Sequence, residues 1–237
     1  FDEGADRLRS ELQRRGIGWT PLTFTTRAGK LGKLWDLARM YCTALLLQRK
    51  HRFYVIHCRS YQAMQVGRLL NAFTGARTLF DMRGLWVDER VDGGLWNRDR
   101  WLDRIAYAAY KGIERRLLAG ASHVIALTRR VVPELHRISP DMSAPVSVIP
   151  CCADFEHFQL VQPRDRLATR THLGVPENAR LLAYLGSLGT WYMLEEMLRF
   201  FAAAHERWGN MHLLVVTQDW RSEHDELVQR LGMTAIR

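Results

Sequence analysis

The sequence predicts an α/β fold: a parallel sheet covered by helices on both faces, followed by the start of a second unit built the same way. Three observations predict it. Short apolar runs alternate with stretches of helical periodicity along nearly the whole chain, the order expected of strands joined by crossover helices. The runs are continuously apolar instead of alternating with polar residues, as strands buried on both faces require. The chain has 237 residues, 47% of them hydrophobic and 25% charged, which suits one large soluble domain or two modest ones.

The elements follow in order. Residues 5–15, ADRLRSELQRR, read as a helix with Leu8 and Leu12 on one face, and Gly16 ends it. The stretch 18-GWTPLTF-24 reads as a short strand edged by Pro21. A second helix over about 30–50 is unusually apolar for a surface helix. A buried strand is expected at 53–57, a helix at 60–74, and a strand at 77–81. A long helix over about 99–119 carries an apolar stripe of Leu102, Ile105, Ala109, Ile113 and Leu117. A strand at 122–127 precedes a short helix with Thr128 as its N-cap, and a strand at 146–149 ends at Pro150.

Residues 155–180 are polar, with Pro163 and Pro176, and mark a domain boundary. The expected domains are residues 1–165 and 166–237. The second begins with a strand at 181–186, a helix at 191–206, a strand at 212–217 and a helix at 221–231. So short a piece is a poor independent α/β domain, so it is expected to be incomplete. The opening Phe1-Asp2-Glu3-Gly4 has neither an initiator Met nor a signal-peptide pattern and reads as a cut or a missing leader.

No apolar run reaches membrane-spanning length, and no metal-binding motif is present. Cys42, Cys58, Cys151 and Cys152 form no CxxC pair and read as reduced, small, buried thiols of a cytosolic protein. The net charge of +9 admits nucleic acid, an anionic membrane or a phosphorylated small molecule as partner. No zinc finger, helix-turn-helix or RNP-like pattern supports nucleic acid, and aromatics do not interleave with the basic run. That run holds Arg27, Lys30, Lys33, Arg39, Arg49, Lys50 and Arg52 against one acid, Asp36, beside Trp35, Leu37, Met40, Tyr41 and 45-LLL-47. It suits the surface of an anionic bilayer, or else the leucines pack on the sheet.

In open α/β sheets ligands bind beyond the carboxyl ends of the strands. There the sequence places His57, Arg59 and Ser60; Asp81, Arg83 and Gly84; Thr128; and Gly186, Ser187, Gly189 and Thr190. Their convergence implies a cleft. His57 fits a base, a hydroxyl partner or a structural histidine. Asp81 and Arg83 read as a cleft pair or as an ion pair bracing the loop. Trp86 packs that loop, 80-FDMRGLWVDER-90, or stacks on a ring. The segment 186-GSLGT-190, followed by a helix N-terminus, suits a phosphate or is a plain tight turn.

Three stretches carry a family resemblance: 119-AGASHVIALTRRVVPEL-135, 148-VIPCCADFEHF-158 and 183-AYLGSLGTWYMLEEML-198. They resemble the "A-D-x-V-I-A-x-S" strand, the "V-I-P-N-G-V-D-x-x-x-F" segment and the "x-x-G-R-L-x-x-x-K-G" opening of the GT-B glycosyltransferases of the glycosyltransferase 4 family (glycosyl transferase group 1). The resemblance implies two Rossmann-like domains, the first for the acceptor and the second for a nucleotide-activated sugar. It implies retaining transfer to a glycan or lipid-linked acceptor in cell-surface polysaccharide or glycolipid synthesis. It implies no bound metal or cofactor, with the nucleotide-sugar as donor substrate. The protein would be cytoplasmic, with the inner face of a membrane as a possible peripheral site. Asp81 and Arg83 would be catalytic. His57, Arg59, Ser60, Gly84 and Thr128 would bind substrate, and Gly186, Ser187, Gly189 and Thr190 the donor diphosphate. The sequence departs from the family in several places: the glycine-rich first loop would precede Phe1, the family's loop His is replaced by 81-DMRG-84, the phosphate-site Arg and Lys are unmatched, and the Glu-x7-Glu motif would lie beyond Arg237. The alternatives are a sugar-nucleotide epimerase on the same fold, or a non-catalytic basic module binding a membrane or nucleic acid.

Overall fold

The computed structural model describes residues 2–25, 29–159, 162–189 and 192–233. The chain divides into two compact units, Phe1–Arg83 with Ile113–Ile149, and Gly84–Gly112 with Pro150–Arg237.

The first unit is built on helices α1 (Asp2–Arg14), α2 (Gly29–His51) and α3 (Ser60–Thr74), with strands β1 (Val55–Arg59), β2 (Arg77–Asp81), β3 (His123–Ala126) and β4 (Val146–Val148). The strands form one sheet in the order β1-β2-β3-β4. Every neighbouring pair is parallel. Helix α6 (Val131–Ile138) connects β3 to β4, and α5 (Trp101–Ala119) spans the division between the units. Phe80, Met64, Leu118, Leu135 and Val124 are fully buried in this core.

Local chemistry explains the β1–α3–β2 turn. Gly67 on α3 faces β1 so closely that a Cβ there would collide with Cys58 Sγ, so only glycine lets helix and strand meet. Gly75 closes α3 with φ 71°, its N–H donating to Asn71 O. This left-handed position favours glycine. Asn71 Nδ2 donates to Ala76 O at 2.8 Å and fixes the entry into β2. Between β2 and β3, Ser122 Oγ accepts from Thr78 N at 3.1 Å. Tyr61 on α3 donates its hydroxyl proton to Glu114, which is wholly buried.

The second unit contains α4 (Trp86–Asp92), α7 (Pro163–His172), β5 (Arg180–Leu185), α8 (Leu194–Trp208), β6 (Met211–Val216) and α9 (Ser222–Arg230). Strands β5 and β6 are parallel. Leu194, Leu198, Phe201, Leu213 and Val228 form their buried cluster. No helix among the described residues is long and apolar enough to cross a membrane.

Several expectations need correction. Residues 18–24 form no strand; Pro21 lacks the N–H that a ladder needs. Strand β1 starts at Val55 and not at Phe53; it is an edge strand, and Val55 and the preceding Phe53 and Tyr54 are exposed. The apolar stripe of α5 holds only at its C-terminal end. Leu117 and Leu118 are buried, while Leu102 and Ile105 are exposed. Thr128 is no N-cap: α6 starts after Arg130, and no side chain caps it. Helix α7 lies within the polar stretch 155–180. Cys58 is the one buried cysteine, and Cys42, Cys151 and Cys152 are exposed.

Candidate functional site

The carboxyl ends of β1 and β2 hold the first group of candidates. In the parallel register Arg59 faces Asp81 and His57 faces Leu79. Residues two apart on a strand share a face, so His57, Arg59 and Asp81 lie on one side and Cys58 points to the other. His57 Nε2 stands 3.4 Å from Asp81 Oδ2, with the His57 side chain 56% exposed and that of Asp81 12% exposed. A largely buried carboxylate thus holds an exposed imidazole in place. This arrangement suits proton exchange with, or orientation of, a hydroxyl group.

This pairing corrects the expected Asp81–Arg83 pair. Asp81 meets His57, while Arg83 is exposed and, among the described residues, held by no hydrogen bond or ion pair. The reason is register: the chain turns out of the β-ladder after Met82, whose N–H still donates to Ile125 O at 3.0 Å. Ser60 follows Arg59 with φ 73°, a left-handed conformation that costs a non-glycine residue on the order of 1–3 kcal/mol. Thr128 is exposed two residues beyond β3.

The loop after Arg83 turns into a helix, which the dense charges of 80-FDMRGLWVDER-90 had concealed. Helix α4 starts at Trp86 with Asp88 and Glu89 in its first turn, where acids oppose the helix dipole favourably. Its charges are used in packing. Asp88 accepts from Tyr107 Oη at 2.7 Å and from Lys111 Nζ at 2.9 Å. The first of these bonds raises the Tyr107 pKa. The Arg90 guanidinium lies 4.3 Å from the centroid of the Trp86 ring. Trp86 itself packs on Trp96 and Tyr110 at 6.0 and 5.3 Å between ring centroids. A Cβ at Gly84 would meet the Glu89 carboxylate, the far end of an exposed side chain that can swing aside.

In the second unit the loop after β5 carries the other candidates. Gly186 has φ 152°, and its N–H donates to Val216 O at 3.1 Å. Ser187 O accepts from Tyr184 Oη at 2.6 Å. Leu188 N donates to Asp219 Oδ2 at 3.2 Å. Gly189 has open space where a Cβ would stand. Thr190 lies outside the described residues. The expected helix N-terminus does not follow this loop directly. Helix α8 begins at Leu194 behind Met193 at φ 48°, with Glu195 and Glu196 in its first turn. Two carboxylates there disfavour an anion.

The fold recurs in solved structures. One is sucrose-phosphate synthase from Thermosynechococcus elongatus, 18% identical with a TM-score of 0.64 over 90% of this chain and 51% of that one. Another is HepE from Anabaena in complex with UDP-glucose, 17% identical with a TM-score of 0.62 over 97% of this chain and 57% of that one. A third is a glycosyltransferase from Rickettsia africae, 15% identical with a TM-score of 0.58 over 95% of this chain and 53% of that one. The chain therefore spans about half the length of these structures. At such identities the likeness shows a shared fold, the Rossmann-like parallel-sheet architecture typical of GT-B glycosyltransferases. No curated protein matches the chain by sequence. Residues 2–152, well over half of the chain, match the model of the glycosyl transferase 4-like domain, and the chain belongs to that family.

Proposed function

We propose that the protein is a retaining glycosyltransferase that moves a sugar from a nucleotide-sugar to a glycan or lipid-linked acceptor in cell-surface polysaccharide or glycolipid synthesis. The observation that carries the reading is the His57–Asp81 pair at the carboxyl ends of two adjacent parallel strands, 3.4 Å apart, in a chain of this family. Residues 1–165 form the acceptor side and residues 166–237 belong to the nucleotide-sugar side. Asp81 and His57 orient the acceptor hydroxyl, with Ser60, Gly84 and Thr128 lining its approach. Arg59 and Arg83 are exposed cations that offset phosphate charge as the diphosphate departs. In the second unit, Gly186, Ser187, Gly189 and Thr190 are the candidates for backbone and hydroxyl contacts to a nucleotide-sugar. HepE, a structural relative, was captured with UDP-glucose, which supports a uridine diphosphate sugar as the first donor to try.

The protein works at the cytoplasmic face of an anionic membrane. This reading draws on helix α2, where Leu31, Leu34 and Trp35 are exposed beside exposed Lys33. Exposed apolar side chains among basic ones favour an anionic interface. A screen of uridine, guanosine and adenosine diphosphate sugars on the intact protein tests the function. Acceptor-dependent release of nucleoside diphosphate with one donor class supports transfer. Binding of none of the three, by a folded protein, refutes it.

A further inference from the structure

Cys151 and Cys152 are adjacent, and both are exposed. They occupy the two positions after Pro150, where the chain passes from the first compact unit into the second. Cys152 Sγ donates to Pro150 O at 3.3 Å, so this thiol lies back along its own backbone. Immediately downstream, Asp154 Oδ1 accepts from the N–H groups of Glu156 and His157 at 3.0 and 3.2 Å, which fixes a turn. The pair therefore lies in a short open segment between a proline and a pinned turn. Among the described residues no cluster of three His, Cys, Asp or Glu groups could hold a metal ion. The buried thiol of the chain is Cys58, whose pKa burial pushes up to about 11.

We propose that Cys151 and Cys152 are a reversible redox-modification site that a peroxide closes into a vicinal disulfide. One thiolate attacks the peroxide oxygen, the O–O bond breaks, and a sulfenic acid and hydroxide form. The neighbouring thiol attacks the sulfenic sulfur, the S–S bond forms, and water leaves. In total two thiols are oxidised to one disulfide, and hydrogen peroxide is reduced to two waters. Adjacency keeps the resolving thiol one residue from the sulfenic sulfur, so no partner has to diffuse in, while ring closure carries the strain of the product. Adjacency also makes the product labile. Neighbouring Cα atoms are about 3.8 Å apart across a trans peptide, short of the roughly 4.4–6.8 Å span of ordinary disulfides. Strained, exposed disulfides are the readily reduced kind. A glutathione-class thiol therefore restores the dithiol, and in a reducing compartment the modification is transient. The site is independent of the transferase reading.

Trypsin gives a direct test, because residues 138–164 form one tryptic peptide containing Cys151 and Cys152 and neither Cys42 nor Cys58. The reduced protein is treated with equimolar hydrogen peroxide, blocked with a thiol-alkylating reagent, digested and weighed. The expected peptide has lost two hydrogens, carries no alkyl group and regains both thiols on treatment with reduced glutathione. Oxidation of Met142 adds an oxygen and is separated by mass. The Cys42→Ser protein should behave identically. In the Cys151→Ser and Cys152→Ser proteins the two-hydrogen loss should vanish. Cross-links to Cys42 or to a second chain, sulfinic acid without an internal bond, or unreacted dithiol would each overturn the proposal.

Discussion

Replacing Arg83 with Ala separates chemistry from structure more cleanly than any other change at the strand ends. Arg83 is exposed, and no hydrogen bond or ion pair holds it among the described residues. The nearby carboxylate of Asp81 is taken by His57. Losing such a side chain should alter folding stability by less than about 0.5 kcal/mol. If it meets the departing diphosphate or another anion, one charge-assisted hydrogen bond worth roughly 1.5–3 kcal/mol disappears. At about 1.4 kcal/mol per factor of ten, the proposed transfer should slow about tenfold or more. The assay is steady-state kinetics on the intact protein beside a thermal melt of the same preparation. Slower transfer with an unchanged melt is the expected outcome. Unchanged kinetics in a well-folded variant would remove Arg83 from the site, and a collapsed melting temperature would mean that it has a structural role.

Three further outcomes follow from the packing and the charges. Gly67→Ala should destabilise the protein by about 1–3 kcal/mol through overpacking against Cys58, and Cys58→Ala in the same chain should recover part of the loss in a denaturant titration. Thr25 donates to Asp36 through both its hydroxyl and its N–H, and these bonds lower the Asp36 pKa. Their stabilisation is complete above the ordinary carboxylate range and is lost as pH falls through the lowered pKa. The protection of the Thr25 amide, its exchange measured against the intrinsic rate at each pH, should therefore fall only at that acid extreme, and a loss of protection at neutral pH would contradict it. Charge reversal of Lys30, Lys33, Arg49 and Lys50 should weaken co-sedimentation with anionic vesicles, and salt should weaken it for the wild type. Equal binding by both proteins would leave α2 no membrane role.

Much of the fold was legible in the sequence because the signals were local. Helix 60–74 and strand 77–81 sit where the sequence placed them, since Gly75 and the apolar run of β2 mark their limits without help from the rest of the chain. The parallel order followed from continuous apolar runs. What failed depended on partners. The apolar periodicity of α5 is genuine, yet burial depends on what the helix meets, and Leu102 and Ile105 meet solvent. The run 18–24 has strand-like residues but pairs with no strand among the described residues. At the candidate site His57 and Asp81 were both named, but their mutual contact depends on the register between β1 and β2, which neither segment encodes alone. The charges of 86–90 looked like a ligand loop because Tyr107 and Lys111, which engage Asp88, are distant in sequence.

The central claim, that the strand ends of β1 and β2 form the acceptor side of a transferase, is tested most directly by Asp81→Asn. The change preserves shape and removes the charge that faces His57 at 3.4 Å. Kinetics with the acceptor varied, paired with calorimetric titration of the nucleotide-sugar, is the measurement. The account predicts a fall of about tenfold or more in kcat/KM for the acceptor, with donor affinity unchanged. Unaltered acceptor kinetics in a folded protein, or a loss confined to donor affinity, would contradict it.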